Sequence, residues 1–283
     1  MEDEDSSNIK TSFFTCELLN RVPLIEKSDL TMDDSNVLGE GSFGKVVVGE
    51  WLGTKVAVKQ LSVQLEGHQN GLLMKNEIDI HSKMRHPNIV QLMGVCCTSD
   101  AAFILTELVE GADLSAVIFG EWNHPIDKNN ILCQLCRAVA YLHGNGVIHQ
   151  DIKPGNILLD NSGVLKLCDF GLSNYTESET ANKTLRGTVG FMAPEMLLNG
   201  EISVASDMWA FGCTAYELCA GEFIWDVPND LDSYEHIMNQ FWKGHIPPGL
   251  SVLESHDMPS LLIRCFRRKP NKRPSALELL AQF

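Results

Sequence analysis

The sequence predicts an α+β chain in two parts, strand-rich first and helix-rich after a seam near residues 107–113. Three observations carry this. Residues 36–51, NVLGEGSFGKVVVGEW, read as strand, glycine-rich turn and strand, and KVAVKQL (55–61), HPNIVQLMGVCC (86–97) and AAFILTELV (101–109) add strand-like apolar runs. NGLLMKNEIDIHSKM (70–84), set among them, has helical apolar spacing instead. Beyond Gly111 helical patterns dominate, interrupted by short stretches around NILLD (156–160) and VLKLCDF (164–170). Residues 1–28 lack strong periodicity and read as an N-terminal extension.

Composition narrows the function class. A net charge of -15 disfavours non-specific binding to nucleic acid or to an anionic membrane. No apolar run is long enough to span a bilayer, and the acidic start MEDEDSSNIK is unlike a secretory signal peptide. Nine cysteines, an odd and scattered set, point to a reduced, cytoplasmic protein. Cys133 and Cys136 form a CxxC, but ILCQLCRAVAYLH (131–143) has the spacing of a core helix, and no second CxxC completes a zinc site.

Three motifs carry chemistry. Gly39, Gly41 and Gly44 form a G-x-G-x-x-G followed by Val46; glycines let backbone amides approach phosphates. A dinucleotide-binding turn has strand then helix, whereas strands flank this one on both sides, and no GKS or GKT completes a P-loop. Lys59 ends the apolar run VAVK. Taken alone it reads as a solvated strand end, but Glu77 on the helical stretch supplies the carboxylate a buried lysine requires, and the pair presents an ammonium to phosphates. VIHQDIKPGNILL (147–159) contains Asp151, Lys153 and Asn156, and Asp169-Phe170-Gly171 follows. Each carboxylate alone is a solvated loop residue. Together they match phosphoryl transfer, which needs metal ligands, a group to orient the attacking hydroxyl and cations against developing charge. Asp169 and Asn156 offer the oxygen ligands magnesium prefers.

The ordered set resembles the eukaryotic protein kinase family from about residue 30 to the end. Ala193-Pro194-Glu195, Asp207 in SDMWAFG and Arg273 in NKRPS extend the match. The resemblance implies a small lobe of antiparallel sheet with one main helix (about 29–107), a hinge (about 107–113) and a large, mainly helical lobe (about 114–283). It implies ATP and Mg2+ as cofactors, transfer of the terminal phosphoryl group to protein substrates, and regulatory protein partners. Lys59, Glu77, Asp151 and Lys153 then take catalytic roles, and Asn156 and Asp169 hold the metal. Leu38, the three glycines, Val46, Ala57, Lys59, Thr106, Glu107, Val109, Asp113, Leu158 and Cys168 line the nucleotide site. Thr106 takes the gatekeeper place before the hinge, Asp113 meets the ribose, and Val46, Ala57 and Leu158 sandwich the adenine. Asp207 would hold the catalytic loop, and Arg273 would pair with Glu195. Lys153 and Gly187-Thr188 resemble the serine/threonine class, and LRGTVGFMAPE with VASDMWAFGC resembles its tyrosine-kinase-like branch.

Two positions depart from the family pattern. His81 stands one helical turn beyond Glu77, where an apolar side chain is usual, and reads as a satisfied core histidine. Gln150 replaces an arginine that in relatives holds a phosphorylated activation segment, and neither Asn174 nor Leu73 supplies a cation in its place. Phosphate at Thr184 is therefore not expected to switch the domain on by docking there. These departures leave open an ATP-binding scaffold without catalysis; Lys153 speaks against a tyrosine acceptor.

Overall fold

The computed structural model describes residues 21–41, 44–62, 68–98, 101–120, 122, 124–177, 186–227, 232–247, 249–254 and 259–283. The chain divides into two compact units, Met1–Glu110 and Gly111–Phe283.

In the first unit, β1 (Leu30–Gly41), β2 (Gly44–Trp51), β3 (Thr54–Ser62), α1 (His68–Lys83), β4 (Leu92–Cys97) and β5 (Ala101–Glu107) follow one another. The strands form one antiparallel sheet in the order β1-β2-β3-β5-β4. Alternation places Val47, Val56, Val58, Phe103 and Leu105 in one core cluster with Leu30 and Ile25. Ile104, Leu92, Val95 and Ala102 form a second cluster with Met74 and Ile78 of α1. The apolar spacing of α1 thus faces the sheet, and Glu77 and His81 lie on the same buried side, 6% and 4% exposed. Residues 23–25 run along β4, with Ile25 N donating to Val95 O (2.8 Å) and Val95 N to Pro23 O (3.0 Å). Gly94 permits this approach, since a Cβ there would collide with Ile25 and the Pro23 carbonyl.

The second unit opens with β6 (Gly111–Asp113) and α2 (Leu114–Phe119), then α3 (Lys128–Gly144) and β7 (Val147–Ile148). After these come β8 (Ile157–Asp160), β9 (Leu165–Leu167) and β10 (Asn174–Tyr175). It closes with α4 (Pro194–Asn199), α5 (Val204–Ala220), α6 (Ser233–Trp242) and α7 (Ala276–Leu280). Two small antiparallel sheets, β6-β8-β9 and β7-β10, brace the loops between them. The Asp127 carboxylate caps α3, a capping box of Ser203 and Ser206 starts α5, and Gly221 in the left-handed region (φ 70) ends it. α5 is buried almost along its whole length, so it is the core of this unit. The CxxC lies in α3, as its spacing predicts. Cys136 is fully buried, its thiol donates to Ala276 O (3.2 Å), and burial pushes it up to about 12. Among the described residues no helix is long and apolar enough to cross a membrane.

Near the end of α5, Glu217 is 3% exposed. Burial raises its carboxyl to about 7 against the opposing hydrogen bond from Ile224 N. The folded chain therefore holds this proton more tightly than the unfolded chain. The resulting stabilisation is full below the unfolded value and is lost as pH rises through about 7. Glu217→Gln, whose carbonyl still accepts from Ile224 N, is expected to remove that slope and to be the more stable protein at alkaline pH, by about 3 kcal/mol at most. Urea unfolding of both proteins on the two sides of neutrality checks this; parallel pH dependences would refute it.

Candidate active site

Three antiparallel pairings decide which side chains of the first unit share a face. Val46 is opposite Lys59, Val48 opposite Ala57, and Ala57 opposite Thr106. Val46, Ala57, Lys59 and Thr106 therefore project from the α1 side of the sheet, while Val47, Val56 and Val58 fill the other side. Lys59 Nζ meets Glu77 Oε1 at 2.8 Å, with both side chains largely buried. The β3 strand and α1 thus hold one ammonium at a fixed point. His81 is satisfied by Val90 O at 2.6 Å from its Nε2, which requires the proton on that nitrogen. Glu107 is tied to Gln91 through both its backbone and its carboxylate, and Val109 beyond it is half-buried.

The glycines differ from one another. Gly39 and Gly41 sit on β1 and Gly44 opens β2; residues 42 and 43 lie outside the described set. Leu38, 48% exposed, occupies an irregularity between the Val37 and Gly39 pairings. Gly44 has φ 121, and a Cβ there would collide with the Gln60 carbonyl, so the sheet itself demands it. A Cβ on Gly39 meets nothing within 4 Å.

The second unit gathers the catalytic-loop residues. β7 ends at Ile148, and the backbone then turns through Gln150, a non-glycine residue at φ 70. Asp207, 1% exposed on α5, holds this turn: Oδ2 accepts from His149 N (2.8 Å) and Oδ1 from Gln150 N (2.9 Å). His143 Nε2 lies 2.9 Å from the same carboxylate. Asp151 follows as the hub of a cluster. Its Oδ2 receives Asn156 Nδ2 at 2.8 Å and faces Lys153 Nζ at 3.0 Å; its Oδ1 receives Thr188 N at 3.0 Å and Thr188 Oγ1 at 2.9 Å. Lys153 also donates to Thr188 Oγ1 at 2.7 Å. Pro154 starts the short 3-10 turn that presents Asn156.

Asp169 stands at φ 62, a second left-handed non-glycine residue. Such backbone costs about 1–3 kcal/mol and persists where the surroundings over-determine it. Here Phe170 is fully buried against His149, with ring centroids 5.2 Å apart. The Cys168 thiol is turned to Asn156 O at 3.3 Å, within the same loop cluster. Asp113 pairs with Leu158 across β6 and β8, and its Oδ1 caps α2 through Ala116 N at 3.0 Å. In the stretch read as the activation segment, Asp169 to Glu195, β10 pairs with β7, and Asn174 Oδ1 takes Tyr175 N at 2.9 Å. Thr184 lies outside the described residues. The segment ends at Glu195, paired bidentately with Arg273 at 2.6 and 2.7 Å. Thr188 is the site residue whose contacts the sequence pattern does not reveal; its place after Gly187 (φ 121) is its only local mark.

The first unit thus holds an ammonium against a carboxylate, and the second holds an aspartate ringed by lysine, asparagine and threonine and a further aspartate in the left-handed region. Residues 32–283 match the protein kinase domain family. The chain belongs to the protein kinase family. Its fold is the two-lobed kinase fold, an antiparallel-sheet lobe and a helical lobe. It is similar to a probable serine/threonine-protein kinase of Dictyostelium discoideum, 34% identical over 90% of this chain and 28% of that protein. It is 35% identical to mitogen-activated protein kinase kinase kinase 3 of Arabidopsis thaliana, over 86% of this chain and 39% of that one. With the serine/threonine-protein kinase VIK of Arabidopsis thaliana it shares 31% identity over 90% of this chain and 60% of the relative. The kinase therefore spans less than two thirds of each of these relatives.

Proposed function

We propose that this kinase transfers the terminal phosphoryl group of ATP to serine or threonine hydroxyls of signalling proteins. The observation that carries the reading is the hydrogen-bonded cluster of Asp151, Lys153, Asn156 and Thr188. Thr188 holds Asp151 Oδ1 twice, through its N–H and its hydroxyl. The hydroxyl donation is the exchangeable one. A substrate hydroxyl that replaces it is oriented for attack and gives its proton to Asp151 as the bond to ADP breaks. Lys153, within reach of both Asp151 and Thr188, offsets charge on the transferring group. In the sheet unit, Glu77 fixes the Lys59 ammonium for the nucleotide's phosphates, with Gly39 leaving the backbone open to them.

The residues fit a magnesium ion. Asn156 commits its amide nitrogen to Asp151 O and Oδ2, both at 2.8 Å, so its carbonyl oxygen is the atom that would hold the ion, together with the Asp169 carboxylate. When bound, the ion neutralises phosphate charge. Leu38, Val46, Ala57, Thr106, Glu107, Val109, Asp113, Leu158 and Cys168 are assigned to the nucleotide. The proposal extends to a kinase domain over 29–283 after an extension at 1–28, to a cytoplasmic setting, in keeping with nine scattered cysteines, and to regulatory protein partners.

A peptide-library phosphorylation screen with labelled ATP and phosphoamino-acid analysis tests the reading, with Asp169→Asn as control. Phosphoserine or phosphothreonine from the native protein alone supports it. Phosphotyrosine, or equal background from both proteins, would overturn it.

A further inference from the structure

Six of the chain's 22 Lys and Arg residues fall in 264–273, a stretch without Asp or Glu, although the whole chain carries -15. Arg273 is engaged by Glu195, and Arg264 acts on Glu278. Arg267, Arg268, Lys269 and Lys272 remain exposed, with no ion pair among the described residues. Lys243, the residue that ends α6, is likewise exposed and without an ion pair among them.

Arg268 ties this basic stretch to the end of α6: it donates to Phe241 O at 2.9 Å, and its guanidinium would lie 3.4 Å from a Cβ on Gly244. At that end Trp242 is 70% exposed and Ile246 47% exposed. Exposed cations alone are ordinary, and one exposed apolar side chain is too. Uncompensated cations beside an open indole, in an acid-rich chain, are a combination that fits a ligand of opposite charge with an apolar anchor.

We propose that the end of α6 and residues 267–272 dock an acidic segment of a partner protein, with an apolar side chain of that segment seated on Trp242. Arg267 and Arg268 suit bidentate capture of carboxylates. Charge also selects the class of partner. Screening confines the attraction to about 8 Å at physiological salt. A short peptide stays within that reach, whereas an anionic membrane or a nucleic acid extends past it and meets the net charge of -15. The inference does not depend on the phosphoryl-transfer reading, because it concerns binding away from Asp151 and can be measured without turnover.

The test is fluorescence anisotropy with a labelled peptide, a leucine flanked by glutamates and aspartates. The native protein is expected to bind it saturably and less tightly at high salt. Lys243→Glu with Lys269→Glu, and separately Trp242→Ala, are each expected to weaken binding about tenfold. Phosphorylation of a substrate lacking acidic residues should be unchanged in these variants, and thermal melts should match, since these side chains are exposed. Absence of peptide binding, binding indifferent to the charge reversals, or tighter binding of phosphatidylserine vesicles or duplex DNA would overturn the proposal.

Discussion

Lys59→Met is expected to lower turnover by about a hundredfold to a thousandfold, the range for a positioned electrostatic contact in a catalytic site. The methionine keeps the length and apolar stem of the lysine but takes away the ammonium. Two losses follow from one atom. The phosphates lose a fixed cation, and Glu77, 6% exposed, loses the partner 2.8 Å away. A buried carboxylate that loses its ammonium is costly, so α1 should also be destabilised. Steady-state kinetics at saturating peptide separates the effects from simple unfolding when paired with a thermal melt. Turnover within a factor of a few of the native value, in a folded variant, would refute the assignment of Lys59.

Arg273→Ala is expected to cost about 3–5 kcal/mol of stability, as when one partner of a buried ion pair is removed. Arg273 closes more than a pair. Besides both Glu195 oxygens it donates to Ala205 O and Arg267 O and lies 5.1 Å over the Trp209 ring. Its loss strands a carboxylate that is 6% exposed and is held otherwise, among the described residues, by Ser206 Oγ at 3.2 Å. Chemical denaturation of Arg273→Ala, Glu195→Gln and the double variant gives the coupling. The double variant should cost less than the sum of the singles. A cost below about 1 kcal/mol for Arg273→Ala would contradict the buried-pair description.

Much of this was readable from residues, and the limits have physical causes. Period-two runs placed β2, β3, β4 and β5, and the spacing of Met74, Glu77, Ile78 and His81 placed α1, because both patterns span enough residues to register. β6, β7 and β10, three residues or fewer, carry no period, yet β7 and β10 brace the catalytic loop and the activation segment. The grip of Asp207 on Gln150 joins residues 57 apart, and that of Thr188 on Asp151 joins residues 37 apart. Nothing local marks such pairs; Asp207 was placed only by family resemblance, and Thr188 served as a class marker without its contact. The glycine motif shows a different limit. Its three glycines look alike in sequence, but Gly44 is required by the Gln60 backbone, whereas a Cβ on Gly39 meets nothing within 4 Å among the described residues. Val46, Ala57, Lys59 and Thr106 share a face for a reason that only register supplies: strand pairing sets which neighbours face the same side.

The most direct measurement is the single-turnover rate of Asp151→Asn against the native protein at saturating ATP. The asparagine keeps the shape but has one acceptor oxygen in place of two, so it can keep the bonds from Thr188 or the bond from Asn156 but not both, and it cannot take a proton. The expected result is unchanged ATP affinity with phosphoryl transfer slower by about a hundredfold to ten-thousandfold. Transfer at the native rate would contradict the role of Asp151 and, with it, the reading of the cluster as the catalytic centre.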